Sequence, residues 1–141
     1  MSNGDLKKTI LDFVGSYQYS NLITIAGDGT PRGRMMAHLP LKNDMVIWYA
    51  TGSQSRKIAE IENNPAVSVF FYRPTDHSGV SAMGRAEIVK DDETRKKMWQ
   101  DAWSAYWKEG PTDPGYCLIK IIPKKIEYLD YPNHTQETLQ L

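Results

Sequence analysis

Cysteine is almost absent from this chain. Cys117 stands alone among 141 residues, so no intrachain disulfide forms and stability must come from a packed core. A chain of this length fits a single domain, and the free thiol suits a reducing, cytoplasmic setting. Cys117 lies in the apolar run Tyr116–Ile122 and reads as a small core residue rather than a nucleophile. An excess of charge of either sign is also missing. Seventeen basic and 17 acidic residues cancel, which argues against a general nucleic-acid binder. The three histidines, His38, His77 and His134, lie far apart without metal-ligand spacing. No window approaches the ~18 apolar residues of a membrane span, and Met1–Lys8 is too polar for a signal-peptide core. No Gly-x-Gly-x-x-Gly follows a first strand, which speaks against a doubly wound dinucleotide domain.

What is present is a series of strands with a few helices. Leu6, Ile10, Phe13, Val14 and Tyr17 recur at three- and four-residue steps and predict a helix over 5–17. Strands are expected over 21–27 and 31–41, joined by the Asp28-Gly29 turn, then over 45–51, 66–73, 78–89 and 116–130. A helix over 54–63 should stop before Pro65. Another is expected from Asp91 or Asp92 to about Trp107, with Trp99, Trp103, Tyr106 and Trp107 as an aromatic stripe. These aromatics suit core or interface packing more than a cofactor box. The polar stretch 131–141 should be loosely ordered. Six strands in hairpin order with three helices predict an α+β domain, mainly β, built on a small antiparallel barrel.

The segment Thr51–Lys57, Thr-Gly-Ser-Gln-Ser-Arg-Lys, carries three hydroxyls, a glycine and two cations between a strand and a helix. Backbone N–H groups at a helix start, hydroxyls and a guanidinium fork all suit a phosphate. An ordinary surface helix capped by Ser53 or Ser55 would use the same residues.

Several separated pieces stand in a particular order: Arg34-Met35-Met36 after an Asp-Gly turn; Thr51 followed by Ser55 and Lys57; Asn64-Pro65-Ala66-Val67; Gly84-Arg85-Ala86; and Gly110-Pro111-Thr112-Asp113-Pro114. In this order they resemble the pyridoxamine 5'-phosphate oxidase-like superfamily of FMN-binding split barrels, in its general stress protein 26 branch. The likeness runs from about residue 6 to residue 130. It implies a six-stranded antiparallel split β-barrel with flanking helices over 1–130, a polar tail over 131–141, and FMN at a homodimer interface. It also implies that Arg34, Ser55, Arg56 and Lys57 hold the flavin phosphate. Thr51, with Ala50 beside it, would contact the flavin, while Met35 and Met36 run along its ring. Trp107 is the candidate to close over the partner's flavin, and His38 could border the ring.

Departures from that pattern bear on activity. The vitamin B6 oxidases carry a lysine shortly after the arginine, a glutamine near the position of Gly79, and an Arg-Leu-x-Pro ending. This chain has none of them. The expectation is therefore an FMN-dependent oxidoreductase acting on some small molecule, with an electron donor such as NAD(P)H and no assigned catalytic residue. The alternatives are a flavin-storing or flavin-sensing stress protein, or a barrel that takes haem or a deazaflavin.

Overall fold

A computed structural model describes all of residues 1–141. In chain order the elements are α1 (Asn3–Gly15), β1 (Tyr19–Ile25), β2 (Pro31–Ala37), β3 (Ile47–Gly52), α2 (Arg56–Asn63), β4 (Ala66–Arg73), β5 (Ser78–Val89), α3 (Asp92–Met98), β6 (Tyr116–Asp130) and β7 (Thr135–Gln140). Two short 3-10 turns, Asp101–Ala105 and Gly110–Thr112, lie between α3 and β6.

All seven strands join one sheet of order β2-β1-β4-β5-β6-β3, with β7 added on β6. Every pairing is antiparallel. The long strand β6 organises the sheet. One edge pairs with β5 throughout, while the other pairs with β3 in its first half and β7 in its second. The register shifts between Met83 and Gly84, and a bulge of this kind bends and twists the sheet. Gly84 is required there: a Cβ would sit 2.1 Å from the carbonyl oxygen of Ile122. The neighbouring Ala86 donates its N–H to Pro65 O at 2.8 Å, joining β5 to the start of β4. The Gly-x-Ala and Asn-Pro pieces thus meet at one corner.

The sheet curls without closing. Its end strands β2 and β3 share no ladder; they are linked by a single backbone bond, Leu39 N–H to Trp48 O at 2.9 Å. Inside the curl, Leu22, Tyr49, Val69, Phe71 and Ile119 are each at most 1% exposed. α1 packs Leu6, Ile10, Phe13 and Val14 onto this core. Each such side chain contributes about 1.5–3 kcal/mol when fully buried. Ser2 caps the helix, its Oγ accepting the Asp5 N–H at 3.1 Å.

Two expectations need correction. The stretch 131–141 is not loose throughout, because Thr135–Gln140 pairs with β6 and buries Leu139. Nor does the aromatic helix reach Trp107. It stops at Met98, and Trp99 and Gln100 are extended. The reason is packing: the rings of Trp99, Trp103 and Trp107 lie 5.2, 5.8 and 5.1 Å from that of Tyr116. Trp99 and Trp107 are 6.4 Å apart, whereas eight residues of straight helix would separate them by about 12 Å of rise.

Candidate functional site

Alternation along β2 sends Arg32, Arg34 and Met36 to the inner side of the sheet and Met35 to the outer. Arg34 reaches across β1: its Nη1 donates to Leu22 O at 3.2 Å and to Thr24 Oγ1 at 2.8 Å. Its Nη2 donates to Glu60 Oε1 on α2 at 3.3 Å. Arg32 Nε meets the other oxygen of Glu60 at 3.1 Å. Three of the five N–H donors of Arg34 are therefore used, and two are not.

α2 begins where β3 ends. Ser55 occupies the N-cap position, but its hydroxyl makes no cap bond. Instead Ser55 Oγ is buried without any partner, and so is Arg32 Nη2. Ser53 is turned elsewhere: its N–H donates to Gly115 O at 2.9 Å and its hydroxyl to Pro114 O at 2.8 Å. These bonds fasten the Thr51–Lys57 turn to the loop before β6. Lys57 Nζ donates to Thr51 Oγ1 at 3.0 Å. Burial, and then the nearby Arg34 guanidinium, hold the Lys57 ammonium below its ordinary pKa. Arg56 is exposed at the rim.

The fold thus gathers Arg34, Thr51, Ser55 and Lys57 from two strands and a helix start. Arg32, Arg34 and Lys57 oppose one carboxylate, Glu60, leaving two positive charges uncompensated. A buried hydroxyl without a partner, a helix start and surplus positive charge fit an anion with several acceptor oxygens. At neutral pH a phosphate monoester carries a charge of about −1.5 to −2.

Next to this cluster, at the opening between β2 and β3, lies a groove of about 690 Å³. Met36, Ala37 and His38 line one side, Ala50 the other, and Trp103, Tyr106 and Trp107 its far wall. Its size and mostly apolar lining are those of a small-molecule site. Ala50 precedes Thr51, and Met36 lies two residues from Arg34, about 7 Å along a strand. Groove and cationic cluster therefore neighbour each other along the chain of both strands, although they share no lining residue.

The sequence-predicted residues fall into groups. Arg34, Thr51, Ser55 and Lys57 form the cluster, and Met36, Ala50 and Trp107 line the groove. The Met35 side chain points to the outer face and is 64% exposed. His38 sits at the groove, with Nδ1 2.9 Å from Ser20 Oγ, which is 2.6 Å from Tyr49 OH. Burial lowers the His38 pKa and raises those of Tyr49 and Cys117. The Cys117 thiol is buried and stays protonated, as its reading as a core residue requires. Sequence reasoning missed Glu60 and Thr24. An acidic residue on the same helix turn as Ile58 and Ile61, both buried, was the available signal for Glu60.

The pyridoxamine 5'-phosphate oxidase like family matches residues 5–140. The chain belongs to this family, in its general stress protein 26 branch. It is 27% identical over 144 residues to general stress protein 26 of Bacillus subtilis strain 168, with both chains covered in full. The crystal structure of general stress protein 26 from Bacillus anthracis shares 34% identity with a TM-score of 0.79, covering 96% of this chain and 98% of the other. A pyridoxamine 5'-phosphate oxidase-related, FMN binding protein of Nostoc punctiforme has a TM-score of 0.74 at 15% identity, covering 97% and 94%. That last likeness concerns the fold. The relatives of known structure share the split-barrel fold, which in this chain is open between β2 and β3. No helix of this member is long and apolar enough to cross a membrane, and no group of three or more His, Cys, Asp or Glu side chains could hold a metal ion.

Proposed function

We propose that this chain binds FMN and acts as a flavin-dependent oxidoreductase on a small molecule. The uncompensated cationic cluster, with an apolar groove beside it on the same strands, carries this reading. Arg34, Ser55 and Lys57 would hold the phosphate, with Arg56 at the rim. Thr51, Ala50 and the backbone of Met35 and Met36 would lie along the flavin, and Trp107 would bound the ring at the groove wall. Bound FMN supplies the hydride chemistry, while the protein binds, orients and shields it. The Nostoc relative, an FMN binding protein of the same fold, supports the choice of ligand.

The protomer would work as a homodimer. Tyr19, Met35 and Tyr72 stand exposed on the outer face of β1, β2 and β4, and apolar surface of this kind suits a partner.

A purified sample should be yellow, with absorbance near ~450 nm. A colourless protein that ignores added FMN would refute the reading. Replacing Arg34 and Lys57 together by alanine should abolish flavin retention with the fold intact by circular dichroism. Full occupancy in that double variant would show the phosphate assignment to be wrong.

A second reading, a flavin carrier or sensor without turnover, is favoured by Gly79. The vitamin B6 oxidases have a glutamine near this position, but here a Cβ would lie 2.5 Å from the Phe70 ring. Bleaching of bound flavin by NAD(P)H without oxygen would separate an enzyme from a carrier.

A further inference from the structure

Glu60 is the anomaly of the cationic cluster. Its side chain is 7% exposed, and a buried carboxylate costs several kcal/mol unless well paired. It is paired three ways: with Arg32 Nε at 3.1 Å, with Arg34 Nη2 at 3.3 Å and with the Thr24 hydroxyl at 2.8 Å. It therefore draws on Arg34, the guanidinium a phosphate would use. Glu60 lies on α2, one turn beyond Lys57 and five residues from Ser55. Any anion seated at the start of α2 shares its cations with this carboxylate and is repelled by it.

We propose that Glu60 is a resident counter-anion, a specificity-determining residue that lowers the pocket's affinity for phosphate monoesters and keeps such a ligand exchangeable. The inference rests on the reading of this cluster as a phosphate site. Without a ligand, Glu60 neutralises one of three clustered cations and lets the apo-protein fold without severe self-repulsion. With a phosphate present, it leaves a net of two positive charges, a match to the dianion and no more. A pocket lacking the carboxylate would hold the same ligand harder.

The test uses the full chain stripped of ligand, with FMN binding followed by fluorescence quenching and inorganic phosphate as competitor. Glu60→Gln keeps an acceptor for Thr24 and Arg34 while removing the charge. It should lower the Kd for FMN about tenfold, or about 1.4 kcal/mol. It should also strengthen competition by phosphate and steepen the salt dependence of binding, as added positive charge requires. The apo-variant should melt at a lower temperature than wild type. If Glu60→Gln does not purify folded, Glu60→Asp withdraws the carboxylate by one methylene and should tighten binding about two- to threefold, on the same Coulomb scaling. Wild-type protein that binds FMN while these variants bind it equally or more weakly would overturn the inference and leave the phosphate site standing. Failure of both wild type and variants to bind would overturn both readings.

Discussion

The ammonium of Lys57 donates to the hydroxyl of Thr51 across 3.0 Å, tying the first turn of α2 to the end of β3. Thr51 is 6% exposed, so the bond holds a charged group against a buried one. Burial and Arg34 both disfavour the charge on Lys57. An arriving anion would favour it.

This sign gives a pH dependence. Between the lowered pKa of Lys57 in the fold and its ordinary 10.5, the unfolded chain holds a proton that the folded chain has released. The contribution of this group to stability therefore rises with pH across that window. Ligand binding runs the other way, because an anion restores the proton. The Kd for FMN should climb as pH rises from neutral to 10.5, and Lys57→Arg, always charged, should flatten the climb. A wild-type Kd independent of pH across this range would mean that Lys57 does not face the phosphate.

Gly84→Ala should be among the most damaging small substitutions. The added Cβ meets rigid backbone, 2.1 Å from Ile122 O and 2.7 Å from Pro123 Cα. A loss of about 2–4 kcal/mol in urea unfolding is expected. Gly79→Ala meets only the Phe70 ring, which has rotatable bonds, and should lose less. Reversal of this order would contradict the β5–β6 register.

Leu139→Ala should cost about 2–3 kcal/mol although only Gln140 and Leu141 follow it in the sequence. Its side chain is 4% exposed and joins the main core. Thr138→Ala, on the exposed face of the same strand, should stay within about 0.5 kcal/mol of wild type. Equal stability of the two variants would show that β7 is not docked.

These positions show what the sequence reveals and what it hides. β4, β5 and β6 were legible to the residue: β4 is a run of β-branched and aromatic residues between Pro65 and Pro74, β6 opens on an apolar run after Gly115, and β5 lies between the Pro74–His77 loop and the Asp91-Asp92 helix start. β7 was not, since Thr-Gln-Glu-Thr-Leu-Gln buries one apolar side chain and offers no alternation. The tryptophans at 99, 103 and 107 mimic a helical stripe, and only the tertiary position of Tyr116 breaks it. At the site, Arg34 and the Thr51–Lys57 turn stood out by residue type and spacing. Glu60 did not, because its meaning depends on β2 lying beside β1, so that two arginine side chains reach α2. Pairing between strands placed that contact.

The lone hydrogen bond between Leu39 and Trp48 makes the gap in the sheet its weakest seam. The groove residues Met36 and Ala50 stand on opposite lips of that seam. Any molecule filling the groove would act as a clasp, supplying cross-strand contacts that the backbone leaves unmade. Occupancy of the groove would then add to the stability of the sheet at its least bonded edge.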